Sequence, residues 1–183
     1  MDLLVKTAIH SMALLLAALI TWHVIQPLQH YALGASLAGT LLFLPFGVKV
    51  ISAFFEGWRS VLFLMPGAIA ANAMFWQLPF DQATTWLAIV ASYSIAPACF
   101  SVADVILRQD RRETNAHLSW RLIILCGLAS SILGALLLNL ILSRASALFG
   151  RLDAFLSFAI GDFLGLIAVL SAVTLAVRLW RLR

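Results

Sequence analysis

Charged residues make up only 11% of this 183-residue sequence, against 63% apolar ones. A chain with so little polar surface cannot coat a globule in water, and its mean hydropathy of +1.01 excludes a soluble fold. Cysteine is nearly absent too. Cys99 and Cys126 lie in different apolar stretches without a Cys-x-x-Cys pattern, so no dithiol centre is indicated and both read as small core residues. Among the four histidines, His10, His23, His30 and His117, no two are three or four residues apart, which leaves a metal or haem site without a ligand pair. His-Glu-x-x-His, a Ser-His-Asp grouping and a glycine-rich phosphate loop are all missing. The expectation is a protein that is not an enzyme and holds no cofactor or metal.

Long polar segments are lacking as well. The largest polar connection, 108–116, reads Arg-Gln-Asp-Arg-Arg-Glu-Thr-Asn-Ala, and every other loop is shorter. No room remains for an extramembrane enzyme or a nucleic-acid-binding domain, and no internal repeat supports an inverted-repeat transporter. The chain therefore reads as a single integral membrane domain over 1–183.

What the sequence does have is long apolar runs, at 7–28, 31–55, 58–76, 83–107, 118–142 and 154–180. A crossing helix needs about 20 apolar residues, so the runs predict an all-α, polytopic transmembrane bundle of about six spans. The alternating period of a β-barrel strand is nowhere seen. Lys6, Lys49, Arg59, Arg108, Arg111, Arg112, Arg121, Arg178, Arg181 and Arg183 fall on one side of such a bundle and only Arg144 and Arg151 on the other. By the positive-inside rule both termini are cytoplasmic, and the net charge of +4 serves topology and contact with the lipid bilayer, not nucleic acid. The first run continues past the core of a signal peptide without a clear cleavage site, so it is read as a retained helix. The six tryptophans, near the expected span ends, read as interfacial anchors.

Against this apolar background a few residues stand out. Asp162 lies roughly 13 Å inside the last span, where an ionised carboxylate must be paired, solvated or protonated. Gly161 and Gly165 flank it in a Gly-x-x-x-Gly spacing that lets another backbone approach closely, read here as intramolecular packing before self-association. In the second span Pro45 and Gly47 predict a kink or break, and a broken helix with exposed backbone is frequent binding-site material. Lys49 and Glu56, seven residues apart, share a helical face, and Glu56 reaches Arg59 at i,i+3. The three suit either a ligand contact or a salt-bridge network at the cytoplasmic surface. Pro66 and Gly67 in the third span and Pro97 in the fourth predict further kinks. Asn72 and Asn139 are polar groups expected to bond across helix interfaces, with contact to a ligand as the alternative. Asp104 and Arg108 read as a surface pair ending the fourth helix, and direct pairing of Lys49 with Asp162 is not expected, because Lys49 should lie nearer the cytoplasmic face.

In order along the chain, Pro45-Phe46-Gly47, Gly57-Trp58-Arg59, Pro66-Gly67-Ala68 with Asn72, and Gly161-Asp162-Phe163-Leu164-Gly165-Leu166 resemble the MASE1 membrane-sensor domain. The resemblance covers about half of the chain. It implies a bacterial inner-membrane module that senses a ligand or membrane state, of a kind normally fused to cytoplasmic histidine kinases or diguanylate cyclases. It carries over to Pro45, Gly47, Arg59, Pro66, Gly67, Asn72, Gly161, Asp162 and Gly165, mainly in structural roles. The sequence stops at Arg183, so signalling is expected to run through a separate protein partner. The leading expectation is a small binding module that takes a signal or small molecule between kinked helices. The alternatives are a structural or assembly subunit of a larger respiratory or photosynthetic complex, and a transporter component with Asp162 as ion-coupling carboxylate.

Overall fold

The computed structural model describes residues 2–33, 40–76, 79–107, 120–142 and 152–181. Among them every regular element is helical: α1 (Leu3–Ile20), α2 (Gln26–Leu33), α3 (Leu44–Glu56), α4 (Arg59–Ala71), α5 (Ala83–Leu107), α6 (Trp120–Leu142) and α7 (Leu152–Arg181). A π-helical turn, Thr21–Ile25, joins α1 to α2 in one rod, and a second, Asn72–Trp76, extends α4. Among the described residues, four helices are long and apolar enough to cross a membrane: Leu3–Ala32, Ala83–Leu107, Trp120–Ile141 and Leu152–Arg181. The expected loop at 108–116 lies outside the described residues, as do His117, Arg144, Arg151, Arg183 and the Arg108 partner proposed for Asp104.

The second expected span, 31–55, departs from the sequence reading. Its helix does not run through. α3 has 13 residues, about 20 Å, which is short of a hydrocarbon core of about 30 Å. Pro45, expected to break the helix, instead starts it, occupying the first turn, where a missing N–H leaves no intrahelical bond unmade. Gly47 lies inside α3 as a packing residue. The break falls upstream, at residues 40–43, which are non-helical.

Non-helical backbone lacks the partners a helix supplies, and several of its polar groups here are paired by other segments. Leu41 N–H donates to Gln29 Oε1 at 2.7 Å, and Leu44 N–H to Thr21 Oγ1 at 3.3 Å. Phe43 N–H donates to the Gly161 carbonyl on α7 at 2.9 Å. The two α7 glycines make this possible. A Cβ on Gly161 would land on the Thr40 carbonyl oxygen, and one on Gly165 on that of Phe43. One turn further, a Cβ on Gly47 would stand 2.7 Å from Val169 Cβ and 2.9 Å from the Gly165 carbonyl. The Gly-x-x-x-Gly face thus receives a non-helical segment and then the first turn of α3, within the same chain.

α1 packs along α4, α3 along α7, and α6 between α5 and α7. The central core joins Phe46, Val50 and Ala53 of α3 to Ala96, Ile123, Leu166 and Leu170. Where α1 crosses α4, Ser11 Oγ donates to the Phe63 carbonyl at 2.8 Å and accepts the Gly67 N–H at 3.1 Å. Those two groups would pair with each other in an unbroken helix, so the Ser11 hydroxyl is inserted into the ladder beside Pro66. Gly67 has no room for a side chain there, its Cβ position lying 2.7 Å from the Ser11 carbonyl. α3 ends at Gly57, whose φ of 57° and ψ of −135° suit glycine alone. The turn then closes with Ser60 N–H on the Gly57 carbonyl.

Replacing Gly165 with Val should push the 40–43 segment off α7. Overpacking of this kind costs about 1–3 kcal/mol or more where backbone is the obstacle. A lowered melting temperature in detergent, with the equally helical Leu164→Val as control at an exposed position, is the expected outcome.

Candidate functional site

The break in the second span decides where its lysine goes. Starting at Leu44, α3 places Lys49 on its second turn. In a helix the Cα–Cβ bonds tilt toward the N-terminus, so the long side chain points back toward the break, not outward to the surface. Lys49 is only 7% exposed. Its Nζ donates to Ser92 Oγ on α5 at 3.1 Å, and lies 4.8 Å from the Phe46 ring centroid and 5.4 Å from that of Tyr93. Rings at that distance attract a desolvated cation by up to about 2 kcal/mol, which offsets part of its burial.

Asp162 approaches from α7, half-buried, next to the glycine that bonds Phe43. Its carboxyl interacts electrostatically with the Lys49 ammonium and with the Tyr93 hydroxyl. The helices agree in depth. Tyr93 is ten residues from the start of α5 and Asp162 ten from the start of α7, roughly 15 Å in each case. The second span does carry the distortion that direct pairing of Lys49 with Asp162 needs, but no ion pair forms between the two; Lys49 takes Ser92 instead.

The expected Lys49–Glu56–Arg59 network does not form. Gly57 turns the chain between Glu56 and Arg59, so the i,i+3 relation of one helix is lost and Arg59 remains exposed. Glu56 instead takes Lys6 of α1, whose Nζ donates to both carboxylate oxygens at 2.7 and 2.9 Å. That hydrogen bond holds the Glu56 carboxyl below its ordinary range; the positive charges of Lys6, His10 and Arg59 add to the effect and partial burial opposes it. One turn along, His10 Nδ1 meets Ser52 Oγ at 2.8 Å while its ring stacks on Phe63.

Asn72, expected to bond across an interface, folds back on its own helix, Nδ2 donating to the Ala68 carbonyl at 2.7 Å where the π-helical turn begins. Pro66, Gly67, Gly161 and Gly165 serve the crossings described above. Trp22 and Trp76 do more than anchor, since they join Phe43 and Phe75 in an aromatic cluster above the break. The residues that sequence reasoning missed are Ser92 and Tyr93. A signal existed, for Ser92-Tyr93-Ser94 is a polar triplet in the middle of an apolar run, and the chain has only two tyrosines.

Lys49, Ser92, Tyr93 and Asp162 thus converge from three helices beside a broken backbone. Their chemistry suits a small polar molecule held by a cation on one side and a carboxyl on the other, or exchange of a proton between them. No family model matches the chain, and neither curated proteins nor solved structures provide a relative. Among the described residues no group of three or more His, Cys, Asp or Glu side chains is placed to hold a metal ion.

A carboxylate whose pKa is lowered in the fold contributes stability that is complete above its ordinary value of 4.5 and lost as pH falls through the lowered one. Glu56→Gln should therefore lower the melting temperature at pH 7, and the difference from the parent should close on acidification well below pH 4.5. Melting curves of both proteins over pH 3–8 check this.

Proposed function

We propose that the protein is a small MASE1-like module of the bacterial inner membrane, with about six spans and both termini cytoplasmic, that binds a small polar molecule at Lys49 and Asp162 and acts through a protein partner. The observation that carries this reading is the placement of Lys49. Nothing obliges a lysine near a helix end to bury its ammonium, since the same side chain can extend to the headgroups. Here it turns inward to Ser92, Phe46 and Tyr93, toward a carboxyl on another helix. A buried charge of this kind costs stability and is retained where it serves a ligand or a switch.

The second and third expected spans enter this reading as a discontinuous crossing through the break and α3, and a return through α4 with its π-helical extension. Partner action is supported by α7, whose residues 171–181 are exposed around the whole helix, the apolar Leu175, Leu179 and Trp180 included. The ordered likeness to MASE1 covers Gly57, where the α3–α4 turn needs glycine, and Gly161 and Gly165, which seat the break.

Two outcomes test the proposal. Native mass spectrometry of protein taken gently from its own membrane should record a bound small mass in the parent, lost in Lys49→Met and in Asp162→Asn while both variants keep their helicity and melting behaviour. A small mass retained in both variants would remove the site assignment. For topology, a fluorescent protein fused after Arg183 should fluoresce and an alkaline phosphatase fused there should stay inactive; the reverse pattern would place the C-terminus outside.

A further inference from the structure

Lys49 is short of partners for the charge it carries. An ammonium has three N–H donors, and one of them goes to Ser92 Oγ. The faces of Phe46 and Tyr93 attract the charge but offer no lone pair, so the other two N–H groups have no acceptor among the described residues. The hydroxyls beside it are in the same condition. Ser92 accepts from Lys49 and keeps its own proton to give, and the Tyr93 hydroxyl makes no hydrogen bond among the described residues. Within those residues no side-chain oxygen or nitrogen sealed inside the protein lacks a hydrogen-bond partner. The Tyr93 hydroxyl therefore borders open space, although its ring packs against the core of Leu14, Leu64, Ala68 and Ile89.

The same turn of α5 supplies an acceptor. Pro97 lies inside α5 and is buried. It has no N–H, so the Tyr93 carbonyl, four residues earlier, lacks the donor that a helix would bring to it. Ser92, Tyr93, Ala96 and Pro97 share one face of α5. Ala96 packs with Phe46 and Val50 of α3, which turns that face toward the helix that carries Lys49. Four groups with bonding capacity left over thus meet where α5 packs on α3: an ammonium, two hydroxyls and a backbone carbonyl. Three give protons and one accepts. Asp162 acts on Lys49 and Tyr93 by its charge from α7, but forms no ion pair with the lysine.

We propose that the small molecule taken up here is an α-amino acid in its zwitterionic form. The proposal rests on the reading of Lys49 as part of the site, and adds the chemical class that the site accepts. The carboxylate of the ligand accepts from the Lys49 ammonium and from the Ser92 and Tyr93 hydroxyls. Its α-ammonium donates to the Tyr93 carbonyl that Pro97 leaves free, and the Asp162 carboxyl attracts it. A simple anion would leave that carbonyl unpaired and set a second negative charge near Asp162. A simple cation would meet Lys49 with a like charge. The zwitterion pairs with both kinds of group and brings no net charge into apolar surroundings, where an unpaired charge is costly.

The experiment is native mass spectrometry of the full chain after incubation with an equimolar mixture of the standard α-amino acids. Binding of the retained amino acid is then measured against its deaminated acid and its decarboxylated amine. The parent should retain an amino acid and bind it at least roughly tenfold more tightly than either counterpart, and Lys49→Met should abolish retention. Pro97→Ala returns an N–H to the Tyr93 carbonyl, so the preference over the deaminated acid should vanish while the acid itself binds as before; a merely destabilised protein would lose affinity for both alike. Tyr93→Phe, which keeps the ring, should weaken the amino acid and the deaminated acid equally. A parent that refuses every amino acid but carries another small mass, lost in Lys49→Met, would overturn the zwitterion and leave the site standing. An amino acid that survives Lys49→Met, or a parent that carries no small mass at all, would overturn both. An unchanged preference in Pro97→Ala would refute the role of the Tyr93 carbonyl.

Discussion

Residues 40–43 are non-helical backbone set between helices, and backbone N–H groups packed inside protein need partners there. Leu41, Phe43 and the first residue of α3, Leu44, find theirs in three directions: a glutamine on α2, the carbonyl of Gly161 on α7 and a threonine in the π-helical turn after α1. Much else follows from that requirement. Gly161 and Gly165 are without side chains because backbone oxygens occupy the space. α3 is short because it begins inside the bundle. A π-helical turn places Thr21 on the buried side of the first rod, where its hydroxyl can serve two masters, accepting from Leu44 and donating to Ala17.

The same break sets the electrostatics. A continuous second helix would have carried Lys49 toward the charged end of the bundle, where a lysine pairs or snorkels at little cost. Beginning at Leu44, the helix gives its lysine a short way back to the break and to Asp162. The polar side chains that remain are arranged to keep the cost down. Serine accepts from the ammonium, two aromatic rings face it, and a carboxyl stands within electrostatic reach. At the other end of α3 the charges pair near the surface, where Lys6 and Glu56 retain part of their exposure.

Legibility in the sequence differed by segment. The runs expected at 83–107, 118–142 and 154–180 became Ala83–Leu107, Trp120–Leu142 and Leu152–Arg181, because a helix in lipid needs only length and apolarity, and both are local properties. Glycine at 161 and 165 was readable as a place of close approach, though a second helix was the natural visitor and a non-helical segment came instead. Pro45 and Gly47 signalled a disturbance whose position was misread by a few residues, since proline is as comfortable starting a helix as breaking one. Glu56 was assigned to Arg59 on spacing alone. The glycine between them, which adopts a conformation closed to other residues, ended the helix first.

The sequence by itself determined that the chain is helical, built for a membrane, and marked by a mid-span carboxylate beside two glycines; hydropathy, length and charge are sums over neighbours and survive any folding. Only the tertiary structure decided that Lys49 turns inward to Ser92 and Tyr93 of another helix, and that Ser52 meets His10 and Glu56 meets Lys6 further along α3. Those facts depend on the register of α3 against α1, α5 and α7, and that register is fixed by where an unpaired backbone finds its hydrogen bonds, a property of three segments distant in sequence and adjacent only once folded.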